Sequence, residues 1–376
     1  MNQSIKILVT GDFYGGNRTD DLIESEQYSK IFNDFLPIIQ GSDIAVTNLE
    51  SALTISGTKI PKTGPLIKAS PKTAEALRFA GFNLVTLANN HIMDFGEEGL
   101  KDTFKELEKH EIAWLGAGKN LNEAQKPLYK DVKGYKLAFL NFAENEWSTT
   151  NGDEPGANPL NPIGNFYAIK DAAEKADLVF VIVHGGHEMY PLPSPRMKQT
   201  YRFFIDAGAD AVIGHHPHVY SGYEVYKDKP VFYSLGNFVF DKPKNTNPLW
   251  HRGFAVQFNI TRGKMNFSVV PYSQCEGHDG VKVLSSEQKD GFQNEISRLN
   301  DIVLDDNRLV LEFEKYCKKV ALSYRYYLEP HTNRYLYFLQ RKGLFPSLVH
   351  KKKRLYYENL MRCEAHRDVV QKTIRQ

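Results

Sequence analysis

Gly214-His215-His216-Pro217-His218 sets two imidazoles, His216 and His218, two residues apart, with Pro217 stiffening the turn between them. On extended backbone that spacing turns both rings toward one locus, and neutral imidazole is a common ligand for zinc and other transition ions. An accidental polar strand end would give the same string. Asn89-Asn90-His91 offers an amide oxygen able to ligate a metal beside an imidazole able to protonate a leaving group, although Asn also favours turns and helix caps. Asp94 is placed either to orient His91 or to cap the helix that begins at Phe95 or Gly96. Asp12 and Glu50 each stand just past an apolar run, where a carboxylate is paired or bound to a cation if it is buried; a cap at Asp12 or a surface ion pair at Glu50 is the plainer alternative. His184 ends the apolar run Leu178–Val183 before Gly185-Gly186-His187-Glu188, where glycine lets backbone approach a bound group.

Five short β-type runs must carry these tips: Ile5–Thr10, Asp43–Thr47, Asn83–Leu87, Leu178–Val183 and Ala211–Ile213. Between them, Ile23–Ile39, Pro71–Ala80, Gly96–His110, Phe166–Ala176 and Pro195–Ala207 have helical apolar spacing. The alternation predicts a layered α/β domain with its chemistry at strand ends. After His218, the segments Gly222–Tyr226, Val231–Ser234, Phe254–Ile260 and Lys264–Val270 read as an antiparallel set, with Arg262-Gly263 as a hairpin turn.

Near residue 280 the composition turns helical. Ser285 and Gln288 form a capping-box pattern ahead of Phe292, Ile296, Leu299 and Ile302, and further helices are expected at Arg308–Leu328, Asn333–Gln340 and Ser347–Arg375, broken near Pro330 and Pro346. The sequence is therefore divided into a 1–280 domain and a 281–376 helical, basic extension. Net charge is +2, yet residues 341–376 alone carry +7, leaving about −5 elsewhere. Such a tail suits weak contact with an anionic membrane surface or acidic polymer, or is simply a solvated helix face. No nucleic-acid motif is present, so nucleic acid is an unlikely partner. The opening MNQSIKILVTGDF lacks the basic start and long apolar stretch of a signal peptide. Cys275, Cys317 and Cys363 are few, odd in number and unpaired by spacing. Both features lead us to expect a cytoplasmic protein with free thiols, at most peripherally membrane-associated.

Taken together, GDFYGG, TNLESALT, LANNHIMDFGEEGL, HGGHE and DAGADAVIGHHPHVYSGYEVYKDKPVFYSLGNFVFD resemble the bacterial capsule-synthesis CapA, or poly-γ-glutamate synthesis, family over residues 5–241. That family looks like a branch of the calcineurin-like metallophosphoesterases. The resemblance implies a four-layer α/β/β/α sandwich holding two divalent ions, manganese or zinc, with iron also compatible. It implies Glu50, Asn90, His184 and His216 at one ion and Asp12, Glu50 and His218 at the other, with His91 catalytic and Asp94 beside it. Asp12-Phe13-Tyr14 departs from the Asp-x-His pattern of phosphoesterases, and Glu50 replaces the bridging Asp, so the second ion loses a ligand that His187 or His215 would have to supply.

The expected activity is metal-dependent hydrolysis of a phosphoester, or of a γ-glutamyl or other amide bond, in capsule or envelope polymer synthesis. Its substrate would be an anionic small molecule or polymer. Arg18, Lys68, His187, His215 and Asn237 are candidate substrate contacts, and Arg196 and Arg252 lie near the motifs; for any one cation ordinary surface charge is the simpler account, and Asn237 also suits a turn-fixing role. The rival reading is a non-catalytic binding or assembly factor for an acidic envelope polymer on the same fold.

Overall fold

The computed structural model describes residues 4–243, 247–362 and 366. It separates into two compact units, Met1–Val310 and Leu311–Gln376.

Two sheets form the middle of the first unit. One runs Val281–Val283, Lys264–Gln274, Arg252–Thr261, Ile5–Tyr14, Ile44–Leu49, Leu84–Thr86, Ala113–Leu115, with Asn237–Phe240 also pairing to Ile5–Tyr14. The other runs Tyr223–Tyr226, Lys229–Phe232, Ala211–His215, Leu178–His184, Tyr135–Ala143, Leu128–Val132. Their facing sides are apolar: Phe180 lies 5.3 Å from Phe258, and Phe232 lies 6.2 Å from both Phe254 and Phe258. Helices Pro162–Ala173 and Pro195–Asp206 cover the second sheet, while Thr73–Ala80 and Gly96–Lys109 belong to the first sheet's outer layer. This is the expected four-layer α/β/β/α sandwich, in which each sheet must bury both faces.

Ile5–Tyr14, Ile44–Leu49 and Leu84–Thr86 are mutually parallel, as are Tyr135–Ala143, Leu178–His184 and Ala211–His215. Their carboxyl ends bring polar tips into line: Asp12 pairs in register with Asn48 and Asn237, and His184 with His215. Register shifts beside Asp12 mark the local bulge that re-aims side chains at this edge.

Two expectations need correction. Ile23–Ile39 is not one helix: it breaks into Arg18–Glu24, Tyr28–Phe32, a 3₁₀ turn and Leu36–Gln40, because Glu26 and Asn33 take positive φ. The strands after His218 divide between the sheets, Lys229–Phe232 adding parallel to Ala211–His215 while Arg252–Thr261 and Lys264–Gln274 form a hairpin in the other sheet. Arg262 and Gly263 do turn that hairpin, both with positive φ, as a two-residue turn requires. The hairpin Leu128–Val132/Tyr135–Ala143 was not anticipated.

The first unit extends past the composition change at residue 280. Helix Ser286–Leu304, opened by the Ser285/Gln288 capping box, lays Phe292 5.3 Å from Tyr220 and 5.8 Å from Phe254, and Asn300 accepts from the Tyr223 amide at 2.7 Å. The second unit holds the remainder of helix Asp306–Tyr327, then Arg334–Arg341 and Lys351–Arg362. The rest of the helix expected to run to Arg375, and Cys363, lie outside the described residues.

Candidate metal centre

Asp12, Glu50, Asn90, His184, His216 and His218 converge at the carboxyl edge of the two sheets, all buried. His184 Nε2 is the hub of one group: Asn90 Oδ1 and His216 Nδ1 each lie 3.1 Å away, and Glu50 Oε1 lies 3.6 Å away. A second group joins Asp12, Glu50 and His218, with His218 Nε2 3.7 Å from Glu50 Oε1. Glu50 belongs to both. Glu50, His184 and His216 on one side, and Asp12, Glu50 and His218 on the other, stand close enough together to hold a metal ion each.

The backbone is bent to make this possible. His216 and His218 hold φ of 97° and 59°, a region that costs a non-glycine residue on the order of 1–3 kcal/mol. Asn237 fixes the second ring: its Oδ1 lies 2.9 Å from His218 Nδ1, and its Nδ2 donates to the His218 and Trp250 carbonyls. With Nδ1 so engaged, Nε2 is turned toward Glu50, the outer-shell arrangement that orients metal-binding imidazoles. Asn48 Nδ2 sits 2.8 Å from Asp12 Oδ1 and 3.2 Å from His184 Nδ1, holding the two groups to one another.

Electrostatics makes the arrangement costly without a cation. Burial, then the charges of Asp12, Glu188, Glu146 and Asp94, pushes Glu50 well above the usual carboxylate range. Burial would raise Asp12 too, but its contact with His215 and the nearby imidazoles hold it low. Burial and then His216 drive His184 far below the usual imidazole value; the same causes lower His218 to about 4. Both carboxylate oxygens of Glu50 are buried and accept no hydrogen bond from the described residues. A polar group in that state needs a partner, and a divalent cation between the two donor sets supplies one while reversing the local charge penalty. Carboxylate, amide and imidazole donors without thiolate fit manganese, zinc or iron.

Beside this centre, His91 Nδ1 lies 2.7 Å from Asp94 Oδ2. Asp94 therefore orients His91; it also accepts from the Ile67 amide and from Lys62, whose Nζ is 2.5 Å from Oδ1 and 3.2 Å from the Asn90 carbonyl. Lys62, whose side chain is enclosed although it stands in the 57–67 loop, was missed by the sequence reading. It has no local motif, and only the fold carries it to Asp94. Glu144 and Glu146 were missed with their strand: Glu146 lies 3.8 Å from His216 Nε2 and 3.4 Å from Asn90 Nδ2.

The proposed substrate contacts are distributed differently. Arg18 forms a forked ion pair with Asp241 and donates to the Cys275 carbonyl; Lys68 donates to the Ile55 and Ser56 carbonyls and lies over the Phe95 ring. His215, fully enclosed, has Nδ1 3.1 Å from Asp12 Oδ1, and Asn237 is spent on His218. Arg196 pairs with Glu144, and Arg252 with Glu276. His187, partly buried, has its imidazole lowered by burial and stands in the field of Glu144, Arg196 and His216. Tyr14 occupies the place of the absent motif histidine, its ring packed 4.9 Å from Phe240.

The bacterial capsule synthesis protein PGA_cap family model matches residues 6–242. The capsule biosynthesis protein CapA of Bacillus anthracis is 32% identical over 289 residues, spanning 73% of this chain and 69% of that protein. The PGA biosynthesis protein CapA of Bacillus subtilis (strain 168) is 33% identical over 288 residues, spanning 74% of each. A probable polyglutamine synthesis accessory protein of Mycobacterium tuberculosis is 28% identical over 214 residues, spanning 53% of this chain and 56% of that protein. With the family model covering well over half its length and every ligand position inside the match, this chain belongs to the bacterial capsule synthesis PGA_cap family and has its metallophosphoesterase-like fold.

Proposed function

We propose that this protein is a two-metal hydrolase of capsule or envelope polymer synthesis, cleaving a phosphoester or, as the competing bond type, a γ-glutamyl or other amide. The observation that carries the reading is Glu50, a buried carboxylate with no hydrogen-bond donor among the described residues, shared by two groups of side chains that could each hold an ion. Glu50, Asn90, His184 and His216 would hold one ion; Asp12, Glu50 and His218 the other. When bound, such ions supply Lewis acidity and stabilise charge that builds on the substrate.

The chain's own groups do the rest. Water attacks the scissile phosphorus or carbonyl carbon, and as its oxygen bonds there the bond to the leaving oxygen or nitrogen breaks. The leaving atom takes a proton from His91 Nε2, and water's surplus proton passes to solvent. Asp94, held by Lys62, steadies the protonated ring through Nδ1. The test is turnover of an aryl phosphodiester and of a γ-glutamyl anilide with manganese or zinc. Loss of either activity in His91→Asn, with metal content intact, supports hydrolysis. Metal-loaded protein inert toward both substrates would favour the assembly-factor reading.

That second reading has one specific observation behind it. Tyr14 packs on Phe240 where phosphoesterases place a ligand, leaving three protein ligands at the second ion. A centre filled at one site only would bind an anionic polymer without cleaving it.

A further inference from the structure

The unit Leu311–Gln376 has a different chemistry from the rest of the chain. It carries fifteen Lys/Arg against six Asp/Glu, a balance of +9, so residues 1–310 carry −7. Its cations are concentrated where helix physics disfavours them: Lys351-Lys352-Lys353-Arg354 fills the first turn of helix Lys351–Arg362, with no acidic residue there. Cations at a helix N-terminus oppose the helix dipole and repel one another. That arrangement is relieved by an anionic partner.

Charge alone would fit any polyanion; the neighbouring side chains narrow the choice. Tyr335, Phe338, Leu344, Leu355 and Tyr356 are each more than half exposed. Aromatic and cation stand together: Lys342 Nζ lies 5.9 Å from the Phe338 ring centre, and Lys353 Nζ 5.2 Å from that of Tyr357. A soluble acidic polymer pairs with the lysines but does not take leucine and phenylalanine out of water. An anionic bilayer does both, the headgroups meeting the cations and the acyl boundary the apolar side chains. Among the described residues no helix is long and apolar enough to cross a membrane, so the contact is interfacial.

We infer that residues 334–361 of the second unit form a peripheral docking surface for an anionic phospholipid bilayer, with Lys351, Lys352 and Lys353 meeting headgroups and Leu344, Leu355 and Tyr356 entering the interface. The proposal is independent of the chemistry at the metal centre.

The test is vesicle co-sedimentation of the full-length protein with phosphatidylglycerol-containing and pure phosphatidylcholine vesicles, across salt. The expected result is binding to the anionic vesicles alone, weakened about tenfold or more by Lys351→Glu, Lys352→Glu and Lys353→Glu together. Leu344→Ser with Leu355→Ser is expected to remove the part of binding that survives high salt. Circular dichroism spectra and thermal melts that match those of the unsubstituted protein show that the variants fold. Equal binding to both vesicle types, or binding untouched by charge reversal, overturns the proposal. So does vesicle binding indifferent to the leucine changes alongside equally tight binding to soluble poly-glutamate, which would make the surface a polymer site. A lipid-free dimer that the leucine variant dissolves would make it a self-association face.

Discussion

The two units of this protein are anomalous in opposite senses. The first buries what chains normally leave in water: Asp12, Glu50 and the imidazoles of His184, His215, His216 and His218 among others, with both Glu50 oxygens lacking a donor among the described residues. The second exposes what chains normally bury, Tyr335, Phe338, Leu344 and Leu355 among lysines and arginines. Scattered surface apolar residues are ordinary, but a buried polar cluster and a dense apolar-basic surface each depart from the default partition. The contrast teaches that the missing partner in each case is read from what is left unsatisfied: positive charge for the first unit, a surface both anionic and apolar for the second.

The largest expected effect breaks the first half of the contrast. His91→Asn should lower turnover roughly 10²- to 10⁴-fold while leaving metal content unchanged, measured by steady-state kinetics beside elemental analysis. Lys62→Met removes one partner of a buried ion pair, a change that typically costs about 3–5 kcal/mol. It should lower both thermal stability and turnover, with Lys62→Arg restoring more of the stability than of the rate, because a guanidinium cannot reproduce the single-point contact with Asp94. Asn237→Ala acts one shell further out, through His218; a loss of about 10- to 100-fold in metal affinity is expected by calorimetric titration.

Protons sharpen the comparison within the metal-free first unit. Glu50 is raised in the folded state, so its stabilising contribution is complete below the ordinary carboxylate value and is lost as pH rises through the folded value. His218 is depressed to about 4, so the folded state binds fewer protons than the unfolded chain between about pH 4 and the usual imidazole value, and stability rises across that window. In chelated Glu50→Gln only the histidine limb should remain. Chemical denaturation should then show stability climbing from pH 4 to about 6.5 and levelling off above it; a fall just above that window, as in the unsubstituted protein, would mean that a group other than Glu50 is responsible. The smallest effect belongs to the second unit, where Leu355→Ser should change stability by no more than about 0.5 kcal/mol, since an exposed leucine has little packing to lose.

The site was legible in sequence to the extent that its residues announce themselves locally. The strand-end tips Asp12, Glu50, Asn90, His184, His216 and His218 each follow an apolar run, and the fold gathers all six. Tyr135–Ala143 has the same form, an apolar strand leading into Glu144, but Lys136 near its start and its adjoining polar partner strand hid it, and Glu146 with it. Lys62 was illegible for another reason: its 57–67 loop has no periodicity, and its partner Asp94 lies 32 positions away. Ile23–Ile39 kept helical apolar spacing while the backbone broke at Glu26 and Asn33, since side-chain periodicity survives turns that keep the same face buried.

The most direct measurement is the metal stoichiometry of the full-length protein, purified without chelator, equilibrated with manganese or zinc, and compared with Glu50→Gln. Two ions per chain in the wild type, falling to one or none in the variant, is the predicted result. No bound ion under replete conditions, or the same stoichiometry in both proteins, would contradict the claim that Glu50 joins two metal sites.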